Sequence, residues 1–244
     1  MVFVIALAVL GTSFLSGIFG MAGGMILMGV LVAIMPVSAA MMLHGAAQMT
    51  SNGWRALMWR GSIDWPIFFR YILGLLLAGL AFSLIGFVPD RAVVLIALGI
   101  VPFLAVLIPQ RFVPQVDHRY GAHVCGFVNT AMQFVAGVSG PLLDVFFIRS
   151  SMDRRRVVAT KAACQTLSHL AKLVYFSSFM GSLGELDGII LGVAVVTAIA
   201  GSSLSKFVLE RISDTQFRLW TKWIVMAIGV VYLAQGAWVL LGRA

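Results

Sequence analysis

Charge is scarce in this 244-residue chain: formally charged residues make up 11%, and only nine of them are Asp or Glu. A soluble domain of this size carries about a quarter charged residues in its solvated shell, so composition alone excludes one. No polar linker or low-complexity tail interrupts the apolar pattern, which leaves no room for a soluble domain beside a membrane part. The two cysteines, Cys125 and Cys164, lie in apolar surroundings without metal-ligand spacing and read as small buried thiols. No GxxxxGK[ST] motif occurs, which argues against ATP-driven chemistry. The first apolar run has no basic segment before it and continues past any plausible cleavage point, so a cleavable signal is not expected.

What the chain has is hydrophobicity, at 61% of residues. Apolar segments fall at about 1–35, 37–59, 66–88, 91–109, 119–148, 156–180, 186–208 and 216–242. A span needs about 20 apolar residues, so the chain is expected to be an all-α, multi-pass protein of the inner membrane. The net charge of +8 then reports orientation toward the cytoplasm; nucleic acid is not an expected partner, and the lipid bilayer is.

Glycine interrupts the first segment where interruption is costly. "GIFGMAGGM" (17–25) places Gly17, Gly20, Gly23 and Gly24 inside an apolar run. Irregular backbone at membrane depth is tolerated where it lines a cavity or is buried in protein. The plainer reading is close helix packing, and Gly20 and Gly24 have the small-xxx-small spacing for it. The adjacent Gly23-Gly24 and the Gly140-Pro141 pair favour true breaks, with Pro at the first turn of a new helix.

The break recurs. "GVSGPLLD" (137–144) stands 117 residues after "GMAGGMIL" (20–27), and the same offset aligns Gln48 with Gln165 and Ser51 with Ser168. This divides one membrane domain into an N-terminal repeat, 1–117, and a C-terminal repeat, 118–244. If every segment crosses, the repeats are parallel and loop Lys and Arg divide six against nine. If segments one and five are re-entrant, each repeat has three further spans and the two are inverted. Thirteen Lys and Arg then fall on one side and two, Arg91 and Arg243, on the other, the stronger bias. The expected fold is therefore two inverted repeats, each a glycine-interrupted re-entrant or broken helix pair plus three transmembrane helices. Whether the breaks are hairpins or interrupted full spans stays open.

The span after each break carries a polar stripe. His44, Gln48, Ser51, Asn52 and Arg55 have the same spacing as Lys161, Gln165, Ser168, His169 and Lys172, and each set shares one helix face. Singly, such residues are interhelical glue, core histidines or, for Arg55, a snorkelling anchor. Repeated at matched positions, they mark a substrate path. The glutamines lie near mid-span, level with the break tips, and the amides of Gly23, Gly24 and Gly140 begin the returning helices. Helix N-termini favour anions, and Lys161 adds a charge about 8 Å inside its span. The expected binding set is Gly23, Gly24, Gln48, Ser51, Asn52, Gly140, Lys161, Gln165, Ser168 and His169. His44, Arg55, Asp144 and Lys172 are candidates for gating or coupling, with Asp144 equally suited to pair with Arg149 or Lys161. Thr12, Ser16, Asn129 and Gln133 add hydrogen-bonding groups near the tips. No catalytic or metal-ligating set is expected.

The glycine break, the following "GAAQMTSNGWRALMWRGSIDW" and the mid-chain repeat of the break resemble the TauE/SafE family of sulfite and organosulfonate exporters, over nearly the whole chain. The resemblance implies secondary transport of a small sulfur-containing anion such as sulfite or sulfoacetate, by export. The chain departs from the usual second repeat in having Gly140-Pro141 for a longer glycine run, and in its basic "RSSMDRRR" (149–156). No cofactor is expected beyond a coupling proton or sodium ion, and a homodimer is left open. A passive anion channel is the alternative reading. An intramembrane enzyme built on His44 and His169 has no triad, paired carboxylates or metal spacing behind it.

Overall fold

A computed structural model describes residues 1–19, 22–179, 187–209 and 214–242. Gly20 of the first break, with Glu185, Glu210, Arg211 and Arg243, lies outside the described residues. The described residues form α-helices and short 3-10 turns, without strands. The helices are α1 (Val2–Phe19), α2 (Ala22–Ile34), α3 (Val37–Met58), α4 (Trp65–Ile85), α5 (Arg91–Leu107), α6 (Gly121–Ala136), α7 (Gly140–Phe147), α8 (Arg154–Phe179), α9 (Gly188–Leu209) and α10 (Asp214–Leu240).

Local chemistry sets several of these ends. Asp64 caps α4 by accepting from the Ile67 amide at 3.1 Å, with Pro66 in the first turn. Asp90 does the same for α5 through Val93 at 2.8 Å. Gly86 and Gly137 close α4 and α6 in the left-handed conformation, which glycine adopts without a Cβ clash.

Both expected breaks are present. A Cβ on Gly23, in the first turn of α2, would overlap the Thr12 carbonyl and the Ser16 backbone of α1. Eleven residues of continuous helix would hold Gly23 and Thr12 about 16 Å apart, so the chain folds back at this break. The second break lies at 137–139, between α6 and α7.

Three described helices are long and apolar enough to cross a membrane: Trp65–Ile85, Gly188–Val208 and Lys222–Leu240. The expectation of six full crossings is thus met by apolarity in three. The 22-residue α3 and the 26-residue α8 have the length but carry the polar stripes. The 17-residue α5 reaches about 26 Å at the helical rise, short of a ~30 Å hydrocarbon core.

The four most extensive packings each join one helix of α1–α5 to one of α6–α10: α1 on α9, α4 on α6, α3 on α8 and α5 on α10. Exchanging α1–α5 for α6–α10 in order turns this set into itself. Glycines allow the approach: a Cβ on Gly74 would meet the α6 backbone at His123, and one on Gly201 the α1 backbone at Leu10. Gly99 and Gly229 face each other between α5 and α10, each near the other's carbonyl.

The connections sort to two ends. Asp64 pairs with Arg156 at 2.7 Å, Arg70 donates to the His118 carbonyl at 3.5 Å, and Arg149 to the Gln110 carbonyl at 3.1 Å. The α3–α4, α5–α6 and α7–α8 connections therefore meet at one basic end. The Phe146 carbonyl of α7 accepts from the Val116 amide at that end. The end of α2 lies instead beside the start of α5, where Val32, Ala33, Arg91, Leu95 and Trp238 border a cavity of about 430 Å³. Cys125 and Cys164 are free and buried, as expected.

Candidate functional site

Between the two breaks, where α3 and α8 pack on each other, lies a cavity of about 10 Å³. That is room for about one water. From α3 come His44 and Gln48; from α8 come Gln165 and His169. The breaks add Gly24 on one side and Val138, Ser139 and Gly140 on the other, and α6 adds Gln133. The lining holds amides, imidazoles, a hydroxyl and backbone, with no carboxylate among the described residues.

The basic side chain next to this cavity is that of Lys172. Its side chain is completely buried. Its Nζ donates to His44 Nδ1 at 2.7 Å and to the Gly137 carbonyl at 2.7 Å. Since Nδ1 accepts, His44 carries its hydrogen on Nε2, which donates to the Gly24 carbonyl at 2.9 Å. One chain of hydrogen bonds thus joins the first break to the second, through one residue of α3 and one of α8. The His44 and His169 rings lie 5.5 Å apart.

Several lining groups are held in orientation yet left incomplete. Asn52 donates to the Gln48 carbonyl at 2.9 Å and to Gln48 Oε1 at 3.4 Å. That turns Gln48 so that its Nε2 is buried without a partner. Gln133 Nε2 donates to His169 Nε2 at 3.3 Å, leaving Gln133 Oε1 and His169 Nδ1 unpartnered. Ser139 occupies the N-cap of α7, yet its hydroxyl makes no capping bond and has no partner. The first-turn amides of α7 therefore lack the side-chain cap that serine ordinarily supplies. Buried polar groups are rarely left unpaired. Here the excess is of donors: the Gln48 amide, the Nδ1–H of His169 and the Ser139 hydroxyl.

Of the binding set expected from sequence, the cavity gathers Gly24, Gln48, Gly140, Gln165 and His169, with His44 from the gating candidates. The others stand outside it. Gly23 is closed in against α1. Ser51 is bonded to Ser202 of α9 at 2.7 Å, and Asn52 acts behind Gln48. Ser168 is engaged by Tyr71 of α4 at 2.6 Å, and by Asn129 and Thr130 of α6 at 3.1 and 3.3 Å. Asn129 also donates to the Tyr71 hydroxyl. Lys161 forms an ion pair with Asp144, one of the two partners the sequence suggested for that acid. Arg55 reaches Asn52 at 3.5 Å and leaves Nη2 buried without a partner, which departs from a simple snorkelling anchor. The stripe spacing did not point to Val138 and Ser139, whose signal is only their place inside the second break. Gln133, near the tip by its place in the sequence, stands in the lining.

A family model described as sulfite exporter TauE/SafE matches residues 4–232. No curated protein and no solved structure matches the chain.

Proposed function

Because the chain belongs to the TauE/SafE family of sulfite exporters, we propose that it is a secondary transporter carrying a small sulfur-containing anion, sulfite or an organosulfonate such as sulfoacetate, out across the inner membrane. The observation that carries this reading is the cavity between the breaks, rich in unpartnered donors, bordered by the buried Lys172–His44 pair and, among the described residues, free of carboxylates. Such a lining favours an oxyanion, whose ionised oxygens accept hydrogen bonds.

The proposed mechanism is alternating access between inverted halves, 1–117 and 118–244. Its supports are the exchange of helix packings between α1–α5 and α6–α10, the ends of α2 and α7 beside opposite ends of α5, and the gathering of basic connections at one end. A cavity of about 10 Å³ is too small for a sulfonate, so a guest requires the halves to part. This closed state also favours a transporter over a passive channel, which would need a continuous polar path. A proton or sodium gradient would drive the cycle.

The test is flux in proteoliposomes. Sulfite or a sulfonate is expected to accumulate against its own gradient when a proton or sodium gradient is imposed. Gln48→Ala and Gln165→Ala are each expected to cut the rate by about tenfold or more, as for one lost hydrogen bond to a charged group. Undiminished transport with both glutamines replaced would move the site elsewhere, and flux that only runs downhill would make the protein a channel.

A further inference from the structure

The charges around the cavity do not balance without a guest. Lys172 is completely buried, and its two hydrogen bonds go to an imidazole nitrogen and a backbone carbonyl. Among the described residues no Asp or Glu lies within ion-pairing distance of it; the ion pairs found there are Asp64–Arg156 and Asp144–Lys161. An ammonium shut away from water without a counter-charge is costly. The other titratable groups around it do not supply one. His44 of α3 is held neutral between Lys172 and the Gly24 carbonyl, and His169 of α8 accepts from Gln133 of α6. Lys161 is already neutralised by Asp144. Arg55 sits in the last turn of α3, half-buried and with its Nη2 unpartnered, but it stands eleven residues, about 16 Å of helix, from His44, and so belongs to the other end of the stripe.

Resting on the transport reading above, we propose that the guest is a monoanion, with Lys172 as its counter-charge acting from behind His44. The species selected are then hydrogensulfite or a singly charged sulfonate, rather than the dianions sulfite, sulfate and sulfoacetate (a sulfonate and a carboxylate at neutral pH), which narrows the substrate class given above. The shared chemistry is a sulfur bearing three oxygens and one net negative charge. Lys172 does not line the cavity; it acts as a positioning residue, through its field and through the orientation it gives His44.

Binding of three anions to the full chain in lipid nanodiscs tests this. Methanesulfonate stays a monoanion throughout, sulfate stays divalent, and sulfite passes from hydrogensulfite to the dianion near neutral pH. The expected result is methanesulfonate affinity that is flat across that range, and sulfite affinity that falls with the hydrogensulfite fraction. Sulfate should bind at least ~10-fold more weakly than methanesulfonate. Titration of the protein itself would move methanesulfonate and sulfite together, so the two arms separate guest from host.

Lys172→Met should weaken methanesulfonate about tenfold or more, and Lys172→Arg, which keeps the charge, should restore most of it. A merely structural strut would lower the melting temperature in Lys172→Met while leaving the preference for methanesulfonate over sulfate intact. Sulfate binding as tightly as methanesulfonate would overturn the proposal, as would full binding by Lys172→Met. If Lys172→Met does not fold, the wild-type panel still decides the charge of the guest. If no anion binds the wild type, the transport reading itself fails.

Discussion

His44 and Lys161 stand 117 residues apart, as do Arg55 and Lys172, so the pairing across α3 and α8 is made twice with the partners exchanged. At one end His44 meets Lys172 at 2.7 Å. At the other, Lys161 lies close enough to Arg55 to feel its charge and is paired with Asp144. The backbone arrangement is alike, but the charge is handled differently. Near the basic end Lys161 is paired with Asp144 while Arg55 reaches only Asn52, and deep in the protein Lys172 has only a carbonyl and an imidazole. Related positions therefore do unlike work: Lys161 has its carboxylate within the protein, and Lys172 is left for a guest to complete.

The glycines of the two breaks offer the sharpest way to break this comparison. Gly137 has φ 73°, and a Cβ there would press on Met28 Sδ at 2.7 Å and Met41 Sδ at 2.9 Å. Gly137→Ala should cost about 2–3 kcal/mol, from the left-handed backbone and the displaced methionines together. It should also disturb the carbonyl that receives Lys172. A Cβ on Gly24 would rest against the Gln48 amide at an ordinary 3.5 Å, so Gly24→Ala should change stability by less than about 0.5 kcal/mol. Because Gly24 lines the cavity, that variant should still lose anion binding. Thermal unfolding with and without methanesulfonate separates the two. Equal melting temperatures for both variants would show that the breaks are not held as their geometry implies.

The second contrast is between the cationic ends. Asp144→Asn leaves Lys161 and Arg55 facing each other without a carboxylate, and should cost about 1–2 kcal/mol, the pair being only partly buried. Lys161→Met added to it should recover most of the loss, which a double-mutant cycle reads directly. If the single and double variants melt together, the ion pair contributes no coupling, and the difference drawn between the two ends loses its basis.

Much of the architecture was legible because lipid makes glycine and amide residues expensive. The offset of 117 residues found both breaks and placed Gln48 and Gln165 together before any coordinates. The stripes were less informative about individual partners. Each residue turns about 100° around a helix, so the neighbours Ser51 and Asn52 face different surroundings though both belong to one stripe. Ser51 ties α3 to α9, and Ser168 ties α8 to α4 and α6. The reach of Lys172 was not legible either. Its long side chain has many directions open to it, and its partner is a backbone carbonyl that exists only because Gly137 ends α6 in a left-handed turn. Lys161, nearer in sequence to Gln165, was the more obvious cation until Asp144 proved to be its partner.

The smallest expected effect lies outside the spans, where the basic end is fastened. Asp117, in the α5–α6 connection, accepts from the amide and hydroxyl of Ser151 at 3.0 Å each. Partial burial pushes its carboxyl up, but the two Ser151 bonds, its own backbone amide and the charge of His118 outweigh that and hold it below the ordinary value. A carboxyl depressed on folding contributes stability above its unfolded pKa and loses it as pH falls through the folded one. The clasp between the α5–α6 and α7–α8 connections should therefore be intact at neutral pH and weaken only in acid, below the usual carboxylate range. Asp117→Asn should cost less than about 1 kcal/mol, since the residue is partly exposed, and should flatten the acid limb of stability against pH. Transport should be unchanged, because the clasp lies at the basic end and makes no contact with the cavity lining. An acid limb identical in wild type and variant would assign that loss to another carboxylate. A fall in flux would mean that the connections move with the breaks.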